Sequence, residues 1–89
     1  MKIEYTVHIW KEGDQFVAHA MPLDVMSCGG TTDEARAALD EAVHLFLTTS
    51  ASQGSLEEIL REAGYEEQSG DWISPSWVAI ERHFAAVPA

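Results

Sequence analysis

The stretch SCGGTTDEARAALDEA, residues 27–42, decides how this chain is read. Two glycines and two threonines run straight into an acidic, alanine-rich segment, as when a chain turns from a strand into a helix. The exposed N–H groups of a helix start can also hold an anion, and glycines let a phosphate come close. Charge separates the two readings. A phosphate-binding loop of the Walker kind ends in Gly-Lys-Ser/Thr, whereas here Asp33 and Glu34 follow the threonines. Two carboxylates in the first turn satisfy the positive end of the helix dipole and would repel a phosphate. Thr31 with Glu34 three residues on makes a capping box, and Gly29 and Gly30 give the backbone freedom to turn. The stretch is a helix start.

Downstream, Ala35, Leu39, Ala42, Val43 and Phe46 recur at helical spacing, with Ala38, Leu45 and Leu47 widening the stripe. They predict a helix from about Thr32 to Thr48, with Asp33, Arg36, Asp40, Glu41 and His44 on its outer face. TTSASQG (48–54) then reads as a loop. A shorter helix is expected from Ser55, capped by Glu58, to Gly64, burying Leu56, Ile59 and Leu60.

Upstream, KIEYTVHIW (2–10) alternates, with Ile3, Tyr5, Val7 and Ile9 on one face and Glu4, Thr6 and His8 on the other. QFVAHAM (15–21) is its partner, joined through Gly13-Asp14, which suits a type II′ turn. That turn sets Glu12 opposite Gln15, Lys11 opposite Phe16, Trp10 opposite Val17, Ile9 opposite Ala18, His8 opposite His19 and Val7 opposite Ala20. Pro22 ends the second strand, and Val25–Cys28 supplies a short third one. The tail SGDWISPSWVAIERHFAAVPA (69–89) fits either a helix from Ser74-Pro75, with Trp77, Ile80, Phe84 and Val87 as its stripe, or a final strand. Periodicity does not separate these two.

Eighty-nine residues suffice for one domain. A chain this short buries roughly 60–65% of its unfolded surface, so association would add useful stability. No apolar run approaches the ~18 residues of a membrane span. The N-terminus alternates and carries Glu4, unlike a signal or transit peptide. Cys28 is the single cysteine, which excludes an internal disulfide and suits a reducing, cytoplasmic compartment. Fifteen carboxylates against five Lys and Arg give a net charge of −10. That balance argues against nucleic acid, whose binding needs basic side chains to displace counterions. It fits either solubility or a basic protein partner.

The order strand, glycine hairpin, strand, then GGTTDEARAALDEAVHLFL (29–47) resembles the N-terminal domain of HicB-type antitoxins. Gly29, Gly30, Thr31, Asp33, Glu34 and Ala35 match the family pattern in order, and GSLEEILREAGYE followed by WISP is similar to the continuation in short members. The resemblance covers most of the chain. It implies an α+β fold, β-β-β-α-(α)-β, with an antiparallel sheet, one main helix on one face, and a reduced ribonuclease H-like topology whose tail returns as a strand. It also implies a cytoplasmic, non-enzymatic protein that forms a homo-oligomer, a dimer or larger. Its partner would be a small basic ribonuclease toxin of the HicA type, masked on its RNA-cleaving surface. Full HicB antitoxins often carry a DNA-binding domain. Here only a short, non-basic tail follows Gly64, so direct operator binding is not expected. An orphan of the same fold, structural or binding a small ligand, is the alternative.

Other chemistries are thinly supported. His8 and His19 face each other with Glu4 further along, but zinc takes three or four ligands, so neither metal nor cofactor is expected. A nuclease needs carboxylates converging on Mg²⁺, and Glu4, Asp24 and Asp33 lie in a strand, a loop and a cap. Cys28 could be activated by the helix start, yet no histidine is near it in sequence, and a small buried thiol is expected. Trp10 and Val17 fall on the face away from the helix, and Trp72 and Trp77 are expected as exposed aromatics in or near loops. Either the tail covers that face within one chain, or its aromatics meet another protein. Trp10, Glu12, Asp14 and Asp24 are therefore the expected contacts for a basic partner.

Overall fold

Alternating apolar side chains build the first layer. β1 (Thr6–Glu12), β2 (Gln15–Met21) and β3 (Val25–Gly29) form an antiparallel sheet in the order β1-β2-β3. The computed structural model describes residues 1–88. The register expected from the turn holds at every pair from Glu12↔Gln15 to Val7↔Ala20. Gly13 has φ +59°, while Asp14 is not among the positive-φ residues, as a type II′ turn requires. Regular pairing in β1 begins at Thr6, because residues 2–4 bond elsewhere. β3 sets Cys28 opposite Val17 and Met26 opposite His19.

The second layer is α1 (Thr32–Ser52) and α2 (Leu56–Glu62). Ala35, Leu39 and Val43 are buried under α1, against Ala18 and Ala20 of the central strand, both fully buried. Small side chains on that strand let the helix approach closely. Leu45 departs from the predicted stripe and is 66% exposed. It lies two positions, about 200°, around the helix from Val43.

α1 also runs four residues past the predicted end at Thr48. The Thr48 and Ser50 hydroxyls donate to the carbonyls of His44 and Phe46, at 2.9 and 2.8 Å, so these side chains stay within the helix. What stops α1 is Gly54, at φ +75°. The Gly54 N–H donates to Ala51 and the Ser55 N–H to Ser50, which is the Schellman pattern. α2 ends in the same way, through Gly64 and Tyr65 onto Arg61 and Leu60. The cap expected at Ser55 is not made. Ser55 makes no side-chain capping bond, and its hydroxyl instead donates to the Ser50 carbonyl at 3.3 Å.

Of the expected final strand, only a short piece forms. β4 (Glu66–Gln68) and β5 (Asp71–Ile73) make a separate two-stranded hairpin. β5 lies parallel to the chain start. The Trp72 N–H donates to Lys2 O at 2.8 Å, and the Glu4 N–H to Trp72 O at 3.0 Å. Trp72 is 1% exposed and completes the core with Leu39, Val43 and Leu60. The Arg61 guanidinium stands 5.1 Å from the centre of its ring. Residues 74–88 form neither strand nor helix. Pro75 has no N–H with which to extend the ladder. The Ser74 N–H and hydroxyl are instead drawn to the Glu4 carboxylate, at 3.2 and 2.7 Å.

Candidate functional site

Because α1 covers one face of the sheet, alternate strand positions present the other face outward. Thr6, His8, Trp10 and Glu12 come from β1, Val17 and His19 from β2, and Met26 and Cys28 from β3. Trp10 is 36% and Met26 53% exposed. Val17 is buried yet stands outside the core cluster, between its cross-strand neighbours Trp10 and Cys28.

His19 organises this face. Its Nε2 lies 2.6 Å from Asp24 Oδ1, and the Trp10 ring meets it edge-on with centroids 6.2 Å apart. Asp24 sits in the turn after β2, at φ +61°, a region that aspartate tolerates better than most residues. Its N–H donates to Ala20 O at 2.8 Å. The Trp10 indole N–H donates to Glu12 Oε1 at 3.1 Å. Of the four residues expected to meet a partner, Trp10, Glu12 and Asp24 are thus linked through His19, while Asp14 stands apart, exposed at the hairpin turn.

Trp77 closes one margin of the face. Its indole N–H donates to Thr6 Oγ1 at 2.8 Å, and its ring lies 5.3 Å from that of His8. His8 Nε2 is buried there with no hydrogen-bond partner among the described residues. The tail therefore covers His8 and leaves Trp10 uncovered.

The helix start makes the capping box with one change. The Glu34 N–H donates to Thr31 Oγ1, and the Gly30 N–H donates to Glu34 Oε2, both at 3.0 Å. The returning carboxylate thus reaches one residue before the cap, and occupies an N–H that an external anion would need. Gly29 serves close packing rather than turning, since its φ is not positive. A Cβ there would lie 2.6 Å from Ala35 N and 2.8 Å from Glu34 C.

The residues weighed for catalysis remain apart. Glu4 holds Ser74, Asp24 holds His19, and Asp33 accepts from Arg36 at 2.6 Å. Among the described residues, no group of three or more His, Cys, Asp or Glu could hold a metal ion. Cys28 is exposed, contrary to the expected burial, because it points to the open face of an edge strand.

Two tyrosines tie the chain start to the helix side. Burial pushes the Tyr5 hydroxyl up to about 12, helped by the Asp40 carboxylate, to which it donates at 2.6 Å. Burial likewise pushes Tyr65 up to about 12, with the Glu4 charge adding to it, and its hydroxyl donates to Glu4 O. Sequence reasoning missed the buried roles of Tyr65 and Trp72. Gly64 was the available signal for Tyr65, since the residue after a Schellman glycine packs back on its helix.

The fold and site define an α+β protein with one covered and one open sheet face. Among the described residues no helix is long and apolar enough to cross a membrane. Comparison with family models, with curated proteins and with solved structures finds no match to this chain.

Proposed function

We propose that this chain is a non-enzymatic binding module of the HicB-like antitoxin kind, which masks a small basic ribonuclease of the HicA type. The observation that carries this reading is where the charge lies. Between residues 32 and 73 there are ten carboxylates and two guanidinium groups, on the helices and the hairpin that follows. Glu57, Glu58, Glu62, Glu66 and Glu67 are all exposed. Such a surface attracts a basic protein, speeds encounter and disfavours acidic competitors. Glu12 and Asp14 add carboxylates at the hairpin end, whereas Asp24 is already paired with His19.

The test is the association rate with a basic HicA-type ribonuclease, measured across ionic strength together with inhibition of RNA cleavage. The on-rate should fall by roughly tenfold or more between about 50 and 500 mM salt. Charge reversal at Glu57 and Glu58 should slow association more than reversal at Glu12 and Asp14. An on-rate indifferent to salt, or RNA cleavage unaffected by excess protein, would refute the proposal.

A further inference from the structure

The charge is unevenly divided along the chain. Residues 1–31 carry four carboxylates and two lysines, and residues 74–88 carry only Glu81 against Arg82. The tail is thus neutral in a chain of net charge −10, and seven of the eleven residues 78–88 are apolar. A solvated tail is normally poor in such side chains. Here Val78 is 97%, Ile80 70%, Phe84 98% and Val87 84% exposed. The tail rests on its own subunit as far as Trp77 and then leaves it. The chain measures 49 × 29 × 21 Å with a radius of gyration of 15.4 Å, against roughly 12 Å for a compact domain of this length.

We propose that residues 78–88 of one copy lie across the open sheet face of a second copy, and reciprocally, forming a two-fold dimer by exchange of tails. Four observations choose this occupant. The departing segment starts at the margin of its own open face, where Trp77 is fixed to Thr6 and His8 of the edge strand, and so beside any second face laid against that one. Eleven extended residues reach up to about 36–40 Å, whereas a seven-residue strand such as β2 spans roughly 20 Å. The tail carries no net charge, and the outward strand positions carry one carboxylate, Glu12, beside the paired Asp24, so two acidic copies meeting there keep their helices apart. A basic partner would find no complementary charge on the tail. The eleven tail residues and ten outward strand positions, the eight above with Gln15 and Met21, make twenty-one a side, within the roughly 20–30 of a standard interface. Reciprocity closes the assembly, so that no tail is left free. The proposal does not depend on a basic partner.

Cys28, the single cysteine, lies on the face to be covered and serves as the reporter. The mass of the full chain would be measured by sedimentation up to roughly 100 μM, where a Kd below ~10 μM gives mostly dimer. The rate at which an aromatic disulfide reagent modifies the thiol would be followed in parallel. We expect twice the chain mass and a thiol reacting at least about tenfold more slowly than in the dissociated chain. Deleting residues 78–89 should give a monomer with a fast thiol. The full-length variant carrying Val78→Asp and Phe84→Asp should do the same, and it keeps every core residue should the deletion fail to fold. A full chain that stays monomeric overturns the proposal. With the thiol shielded it would mean a tail folded onto its own sheet, and with the thiol reactive a tail left for a different protein. A dimer that survives the double substitution overturns it too.

Discussion

The two faces of the sheet are made from the same three strands, yet they have opposite fates. Ala18 and Ala20 point inward and vanish under α1, while Val17 and His19, each one residue away, point outward to Trp10, Met26 and Cys28. The inner face has a core of Leu39, Val43, Leu60 and Trp72. The outer face has one histidine–carboxylate pair, one edge-on aromatic contact and a single indole at its margin. Folding of the single chain is therefore a property of the inner face, and the outer face is free to be chosen for association.

The largest expected effect tests this division directly. Leu39 is fully buried, so Leu39→Ala should lower unfolding free energy by about 2–5 kcal/mol, as transfer and cavity terms add. Met26→Ala, at a half-exposed outward position, should stay within about 0.5 kcal/mol in the dissociated chain. Urea unfolding in dilute solution measures both. An equal loss from the two would mean that the outer face also holds the monomer together.

Alkali should act on the inner side next. Tyr5 and Tyr65 both titrate at about 12 in the folded chain, above the ordinary value of 10. The folded state then holds these protons more tightly than the unfolded one. The resulting stability is fully present below pH 10 and is lost as pH rises through 12. For Tyr65, only 4% exposed, the shift corresponds to on the order of 2–3 kcal/mol. Tyr65→Phe should cost about 1 kcal/mol at neutral pH for the lost hydrogen bond and flatten the alkaline fall. A parallel fall in variant and parent, followed by unfolding across pH 9–12, would assign it to other groups.

The join between sheet and helix is third. A Cβ at position 29 would meet backbone atoms at 2.6 and 2.8 Å, whereas one at position 30 meets only the end of the Glu34 side chain at 3.2 Å. Gly29→Ala must displace the helix start and should cost roughly 1–3 kcal/mol. Gly30→Ala should cost less, since a flexible carboxylate can yield. Equal costs in thermal unfolding would show that backbone freedom, rather than close approach, fixes this pair of glycines.

What the sequence made legible follows from the range of the interactions involved. The hairpin register was readable because one turn, Gly13-Asp14, fixes every pair after it. The helix start was readable because Thr31 and Glu34 act within one turn. The end of α1 was obscured by Ser and Thr, whose hydroxyls here bond back along the helix, while the true stop was the glycine at position 54. The tail was not readable at all. Its course depends on Ser74 meeting Glu4 and Trp77 meeting Thr6, seventy residues or more apart in sequence, which no local period encodes. For the site, the outward placing of Trp10 and Glu12 followed from alternation. The pairing of Asp24 with His19 needed the turn geometry.

The smallest effect compares two helix starts that look alike as sequence. Thr31 with Glu34 and Ser55 with Glu58 both fit a capping box, but only the first is made. The difference lies in the backbone. Thr31 is extended, with φ −133° and ψ 165°, which aims its oxygen at the Glu34 N–H. Ser55 is helical, with φ −106° and ψ 0°, because its N–H is already committed to Ser50 O at the end of α1. A residue that closes one helix in a Schellman turn cannot also adopt the extended shape of a cap for the next. Thr31→Ala should therefore cost about 1 kcal/mol, and Ser55→Ala only a few tenths. Thr31→Ser, which keeps the oxygen, should restore most of the loss in the same urea titration. Equal costs at both sites would mean that Ser55 caps α2 in solution, and that the connection between the helices is looser than the hydrogen bonds onto Ser50 require.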